Sequence, residues 1–320
     1  MSFRIVASAD AGIPLLQLRD ESNQTTVSIV PGSGAMLHAL TVPVAGVLHN
    51  IIDGYRDAAD MATHLDKSYK SSKLSPFPCR IDGGTYHFGG HSYQFPELFG
   101  DGNAIHGLLF NKPFNTVAQT VTDTHASVQF EYEYRAENPG YPFSYRCGIS
   151  YTLFPGRVLQ LQTTVKNTGT EALPIGDGWH PYFALGGKVD DWQLRFHCKG
   201  MLEFSETLIP TGALLPFEDF ASARAIGNRE LDNCFPLEDG ASAEVCQLTH
   251  PVNGLSVSFH TDGNYPFLQL YIPPHRESIA IENLSMAPNA FNNGMGLLVL
   301  QPGEEKSFNL HYQVNTAQTA

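Results

Sequence analysis

Apolar and polar side chains alternate along most of the chain in short runs. Such alternation predicts β-strands, because successive side chains of a strand point to opposite faces of a sheet. The runs are rich in Val, Thr, Tyr and Phe, and they end at Gly, Pro, Asn or Asp, which favour turns. The predicted strands lie at 25–31, 35–43, 126–136, 143–154, 157–167, 192–200, 243–250, 255–261, 267–273, 278–284 and 306–314.

Helical periodicity is weak by comparison. The best candidate helix spans 57–74 and is only weakly amphipathic. Parallel strands need a crossover connection, usually a helix, so a chain with so few helices excludes parallel βαβ units. The pattern therefore predicts an all-β fold, a large antiparallel sandwich. Because the strand pattern continues past the midpoint without a linker or a repeat, we expect residues 1–320 to form a single domain.

Residues 78–107 interrupt this pattern with seven glycines. Two alternating runs on either side of Gly89 and Gly90 predict a β-hairpin, because Gly-Gly favours the two-residue turns of hairpins. The segment after the hairpin has the composition of a loop, and loops on a rigid sheet often carry binding residues. Arg80 stands near the start of the segment and His106 before its last glycine, so both are candidate ligand-binding residues.

The charge and composition of the chain limit which classes of partner are expected. The net charge is −13, from 32 acidic and 19 basic residues, and no basic run occurs. A nucleic-acid partner is therefore not expected, since phosphate neutralisation needs clustered Lys and Arg. Without an N-terminal signal pattern or a long apolar run, we expect a cytoplasmic protein that does not enter a membrane. The five scattered cysteines contain no CxxC and indicate neither disulfides nor zinc.

Three further positions combine an ionisable group with aromatic or apolar neighbours. His180 follows Trp179 and precedes a Pro-Tyr-Phe run, and such surroundings suit a sugar ring, whose C–H face packs on aromatic side chains while its hydroxyls accept and donate hydrogen bonds. Glu282 interrupts an apolar strand, and carboxylates are rarely buried unless paired, so it lies either on the outer surface or in a lined pocket. Asp232 is the third candidate.

Each candidate also has a purely structural interpretation. A histidine beside aromatic residues often has only a structural role, and an aspartate before an asparagine often caps its own turn. Arg80 could belong to a surface ion pair. His87 and His91 flank the hairpin turn and could form a cross-strand pair, but without a visible third ligand we expect no metal site.

Taken in order, these segments resemble the aldose 1-epimerase (galactose mutarotase) family. The family's Asn-Arg-Ile triplet is matched by Cys79-Arg80-Ile81 and its His-Gly pair by His106-Gly107, so that a cysteine replaces the asparagine. The remaining matches are His-Pro-Tyr-Phe at 180–183, Leu231 and Asp232 before Phe235, Glu282 in its strand, Pro288-Asn289-Ala290, and Pro302-Gly303-Glu304.

The resemblance implies a large antiparallel β-supersandwich and the interconversion of the α and β anomers of a free hexose such as glucose or galactose. It implies that Glu282 is the general base at the anomeric hydroxyl, that His180 is the general acid at the ring oxygen, and that Arg80, His106 and Asp232 bind sugar hydroxyls. It implies a small-molecule sugar as the partner, with no cofactor and no metal. The chain is expected to be a monomer or a homodimer.

The ordinary pKa values of glutamate and histidine, near 4.3 and 6.5, allow a carboxylate beside an imidazolium close to neutral pH. We expect their attraction to raise the pKa of His180 and lower that of Glu282. Two alternatives stay open. One is an enzyme similar to hexose-6-phosphate 1-epimerases, which needs several cations around the phosphate. The other is a carbohydrate-binding relative without turnover.

Overall fold

The computed structural model describes residues 2–238 and 244–316. Strands dominate these residues. The strands are β1 (Phe3–Asp10), β2 (Ile13–Asp20), β3 (Thr25–Val30), β4 (Met36–Val44), β5 (Val47–Asn50), β6 (Lys73–Leu74), β7 (Arg80–Ile81), β8 (Thr85–Phe88), β9 (His91–Gln94), β10 (Ala104–Ile105), β11 (Asn115–Val121), β12 (Ala126–Arg135), β13 (Ser144–Phe154), β14 (Val158–Asn167), β15 (Leu173–Ile175), β16 (Gly178–Trp179), β17 (Tyr182–Phe183), β18 (Gln193–Phe196), β19 (Met201–Phe204), β20 (Pro210–Leu215), β21 (Arg224–Ala225), β22 (Asp232–Pro236), β23 (Glu244–Thr249), β24 (Ser256–Thr261), β25 (Phe267–Tyr271), β26 (Ile279–Leu284), β27 (Leu298–Leu300) and β28 (Glu305–Asn315).

Three antiparallel sheets make up most of the architecture. A nine-stranded sheet has the order β11-β12-β13-β14-β28-β24-β23-β18-β21, a six-stranded sheet contains β22-β25-β26-β16-β6, with β17 pairing with β26, and the first five strands form a meander. One hydrophobic core contains residues from Phe3 to Val314. In β13 and β14 buried and partly exposed residues alternate, as expected for strands with one face on a core. The predicted all-β antiparallel sandwich is confirmed.

Most predicted strands are present with boundaries shifted by a few residues. The strand predicted at 192–200 is shorter, ending at Phe196. The strand predicted at 243–250 is observed as β23, and its first predicted residue, Ala243, lies outside the described residues.

The helix predicted at 57–74 is too long. Helix α1 spans Ala58–Ser68, and its N-terminus is capped by the side chain of Asp57, which accepts a hydrogen bond from the backbone N–H of Asp60. It ends because Tyr69 takes a left-handed conformation, with φ of 48°. The chain then turns into the six-stranded sheet as β6. Helix α2 (Ala290–Asn293) is a single turn, and neither helix in the described part of the chain reaches the roughly 20 residues that a bilayer requires.

The predicted hairpin is present as β8 and β9. Both turn glycines have positive φ, 58° at Gly89 and 81° at Gly90, as the favoured hairpin turns require. The register sets His91 opposite Phe88, so it does not pair across the strands with His87. After the hairpin and its loop the chain returns as β10, which pairs with β7.

The return from this excursion depends on one close backbone approach. Gly107 has a φ of 75°, and a Cβ atom added there would lie 2.2 Å from the carbonyl oxygen of Ser75. The two residues form a parallel bridge. No side chain fits this position, so a glycine is required directly after His106.

Substitution of Gly107 tests this constraint. Gly107→Ala is expected to lower the free energy of unfolding by about 2–4 kcal/mol, because the new Cβ overlaps backbone atoms. Gly89→Ala is the matched control, since it has positive φ but nothing within 4 Å, and about 1–2 kcal/mol is expected there. Urea unfolding measures both. Equal losses in the two variants would show that the overlap at Gly107 is relieved without cost.

Candidate active site

Adjacent strands of the six-stranded sheet bring the two candidate catalytic residues together. Strand β16 pairs with β26 through Gly178, and β17 pairs with it through Tyr182, so His180 lies between two pairing points beside the strand that carries Glu282. The His180 Nε2 atom is 3.4 Å from the Glu282 Oε1 atom. Both residues are buried, with 5% and 2% of their surfaces exposed. Glu282 therefore points into a lined pocket rather than to the outer surface.

The same sheet contributes two polar neighbours. The register sets Gln269 of β25 opposite Glu282, and Tyr271 opposite Asp232 of β22. The Gln269 Nε2 atom donates a hydrogen bond of 2.8 Å to the Asp232 carboxylate. The Gln269 Oε1 atom and the Glu282 Oε2 atom are buried without a partner among the described residues, so both remain available to a ligand.

Arg80 and His106 reach the pocket from the small sheet of β7 and β10. The backbone of Arg80 lies opposite Ile105, and the N–H of His106 donates to the carbonyl of Cys79. The glycine-rich excursion thus brings its two ends side by side. The Nε atom of Arg80 donates to Asp101 at 2.6 Å, which fixes the guanidinium group.

The backbone N–H of Cys79 donates to the Nδ1 atom of His106 at 3.3 Å. Burial holds the pKa of His106 well below its usual value, so the ring is neutral at pH 7. With Nδ1 as an acceptor, the single ring hydrogen is on Nε2. His106 therefore acts as a hydrogen-bond donor through Nε2.

These side chains line a cavity of about 170 Å³. All five residues singled out in the sequence contribute to it. Its lining residues are Lys67, Ser68, Tyr69, Cys79, Arg80, Phe99, Ile105, His106, His180, Tyr182, Asp232, Gln269, Tyr271 and Glu282. The ring of Tyr182 stacks on that of His180 at 5.0 Å between centroids. The arrangement joins an acid–base pair, several hydrogen-bonding groups and aromatic faces, which suits a polar ring such as a sugar.

A larger cavity, about 580 Å³, adjoins this pocket. The two share Lys67, Tyr69, Phe99 and Ile105 as a common wall. Neither His180 nor Glu282 lines the larger cavity, so the candidate site is the smaller one.

The electrostatics of the pair differ from the expectation. Burial lowers the pKa of His180 to about 4 and raises that of Glu282 well above its usual value. The expected shifts, upward for His180 and downward for Glu282, are therefore wrong, because removal from water disfavours each charged form more than mutual attraction favours it. Burial therefore favours the form of the pair in which Glu282 keeps its proton beside a neutral imidazole. The negative charge of Asp232 adds to the upward shift in the pKa of Glu282, and the positive charge of Arg80 opposes it.

Sequence reasoning missed Gln269, Tyr271 and Asp101, and the residues at the end of α1. Gln269 gives the same signal as Glu282, a polar residue within an apolar strand, and could have been found by it. Asp101 lies in a loop without periodicity, and its partnership with Arg80 is set by the fold. Among residues 2–238 and 244–316, no three His, Cys, Asp or Glu residues are grouped to hold a metal ion.

Comparison with known proteins agrees with the all-β antiparallel fold. The sequence model of the family described as aldose 1-epimerase matches residues 14–313. The chain therefore belongs to the aldose 1-epimerase family and is an isomerase. The resemblance read from the motifs is confirmed.

Relatives extend along nearly the whole chain. An uncharacterized protein of Escherichia coli K12, YihR, is 29% identical over 94% of this chain and 98% of its own length. Galactose mutarotase of Rattus norvegicus is 24% identical, with 98% of each chain covered. Among solved structures, a galactose mutarotase-like protein from Clostridium acetobutylicum superposes with a TM-score of 0.87 at 18% identity, covering 98% of this chain and 99% of its own. Galactose 1-epimerase from Lactobacillus acidophilus gives a TM-score of 0.81 at 18% identity, with 98% of each chain covered.

The protonation state of His180 can be measured directly. Because burial lowers its pKa to about 4, the ring is expected to remain neutral from pH 8 down to about pH 4 in the ligand-free protein. Nitrogen-15 NMR of histidine-labelled protein distinguishes neutral from protonated rings, and His180→Asn assigns the signal. An imidazolium signature at pH 7 would contradict the neutral pair.

The raised pKa of Glu282 has a consequence for stability. Between the unfolded and the folded pKa the folded state holds a proton that the unfolded state has lost, so stability falls as the pH rises above about 4.5. Glu282→Gln removes this loss, at most about 1.4 kcal/mol per pH unit. In urea unfolding, the free energy of unfolding of the variant relative to that of the wild type is expected to be greater at pH 8 than at pH 4.5. A difference that is the same at both pH values would argue against a buried, protonated Glu282.

Proposed function

We propose that the protein is an aldose 1-epimerase that interconverts the α and β anomers of a free hexose such as glucose or galactose. One observation carries the proposal: His180 and Glu282 lie 3.4 Å apart, both buried, in a pocket lined by groups suited to sugar hydroxyls. Ring opening must remove a proton from O1 and deliver one to O5, so it needs two such groups on one substrate.

The proposed roles follow the polarity of these groups. Glu282 takes the proton of the anomeric hydroxyl, and His180 gives its Nε2 proton to the ring oxygen while the C1–O5 bond breaks and an aldehyde forms at C1. Rotation about C1–C2 exposes the other face of the aldehyde. Arg80 and His106 donate hydrogen bonds to sugar hydroxyls, and Asp232 accepts them.

The shifted pKa values fit this cycle. The ionised pair that opens the ring, a Glu282 carboxylate and a His180 imidazolium, has the same number of protons as the neutral pair. Transfer of one proton from Glu282 Oε1 to His180 Nε2 converts the neutral pair into the ionised pair. After ring opening the pair is a carboxylic acid beside a neutral imidazole, the form that burial favours. Ring closure needs that form, because His180 must then accept the O5 proton while Glu282 returns one to O1.

The charge of the pocket supports a free sugar over a sugar phosphate. Arg80 and Lys67 are the cations of the described lining, and the carboxylate of Asp232 lies in the same lining. The Nε atom of Arg80 is already bound by Asp101. A phosphate site would present several converging cations without such neutralisation. Turnover of glucose 6-phosphate much faster than that of glucose would favour the phosphate alternative.

Catalysis is tested by the relaxation of freshly dissolved α-glucose and α-galactose, followed by polarimetry in a weakly catalytic buffer. Glu282→Gln and His180→Asn are each expected to lower kcat by about 10²- to 10⁴-fold, since each removes one proton transfer. Binding of the equilibrated sugar, measured by calorimetry, should survive Glu282→Gln in part. Lys188→Met is the control, because it breaks only exposed contacts outside the pocket, an ion pair with Glu277 and a hydrogen bond to the carbonyl of His275. Wild-type protein that binds sugar without accelerating relaxation would be a carbohydrate-binding relative, and the proposal would fail.

A further inference from the structure

A buried ion pair lies behind His180, outside the pocket. The Nζ atom of Lys73 is 2.5 Å from the Oδ1 atom of Asp177, and neither side chain has any exposed surface. Neither residue lines the pocket. Taking two charges out of water is expensive, and well-packed apolar residues of similar volume are often as stable. A contribution to stability therefore does not account for the pair.

The contacts of Lys73 converge on the segment that precedes His180. Its Nζ atom donates to the carbonyl oxygen of Gly178 at 3.2 Å and to the hydroxyl of Thr163 at 3.1 Å. It also lies 4.4 Å from the centre of the Trp179 ring. A single ammonium group thus contacts each of the three residues before His180, through a side chain, a carbonyl and a ring.

Asp177 connects the same segment to the strand of Glu282. Its backbone N–H donates to the hydroxyl of Ser285 at 2.8 Å, and the N–H of Ser285 returns a hydrogen bond of 2.9 Å to its carbonyl. The hydroxyl of Tyr265 donates to its Oδ2 atom at 2.7 Å. Ser285 is three residues beyond Glu282, so Asp177 holds the histidine segment in register with the glutamate strand.

We propose that Lys73 and Asp177 are positioning residues that hold His180 at its working distance from Glu282. The backbone beside Lys73 completes this support, because the N–H of His180 donates to the carbonyl of Ser72, and the N–H of Ser71 donates to the carbonyl of His180. Only the importance of this distance for catalysis rests on the proposed function. The positioning itself is measurable without turnover.

The test uses the double variant Lys73→Met, Asp177→Asn in the full chain, which removes both charges and leaves none buried without a partner. We expect kcat for the hexose to fall by about 10- to 100-fold, since displacement of a catalytic group by about 1 Å has effects of this size. KM should change less than about threefold, because the pair does not touch the pocket. The NMR titration of His180 should shift as well. Tyr134→Phe is the control, since it removes a different buried hydrogen bond, to the carbonyl of Tyr141.

An unchanged kcat and an unchanged His180 titration in a folded double variant would overturn the proposal. If the wild type proves to have no epimerase activity, the positioning role is tested by the His180 titration and by a crystal structure of the variant. A His180–Glu282 distance equal to that of the wild type would then overturn the proposal. If the double variant does not fold, Thr163→Val provides the second test. It removes one acceptor of Lys73 without altering charge, and a loss in kcat of about 2- to 10-fold with constant KM is expected.

Discussion

The removal of one carboxyl group and one imidazole from water determines how this site works. Charge attraction between Glu282 and His180 would favour the ionised pair, but burial favours the neutral one and has the larger effect. The favoured form is a neutral pair, in which the carboxyl group keeps its proton beside an uncharged imidazole. In the proposed cycle this neutral form is the one that ring closure needs.

Such a pair is useful only if its geometry is fixed, and antiparallel pairing provides this. Glu282 belongs to β26, and His180 lies between β16 and β17, which both pair with β26 and so fix the register on either side of the histidine. The sugar-orienting candidates come from elsewhere. Arg80 and His106 lie at the ends of a long excursion, and they meet because β7 pairs with β10 and Gly107 allows the chain to pass the backbone of Ser75.

Local sequence patterns predicted the features that depend on residues close together in the chain. The alternating strands, the Gly-Gly hairpin and the polar interruption at Glu282 are signals of this kind, and all three are found in the structure. The end of α1 was missed because a left-handed Tyr69, not a change in periodicity, terminates it. The partnership of Arg80 with Asp101 and the direction of the pKa shifts depend on burial and on contacts between distant segments, which no short stretch of sequence encodes.

The site and its surroundings contain two sets of buried polar groups, which differ in how fully they are hydrogen-bonded. In the pocket, Glu282 and His180 are left without full hydrogen bonding, and each has a polar atom without a partner among the described residues. Behind it, Lys73 meets the Asp177 carboxylate, a hydroxyl and a carbonyl, a well-satisfied arrangement. Groups that must exchange protons with a substrate have to keep unused hydrogen-bonding capacity, whereas groups that hold a strand in place gain rigidity from using it.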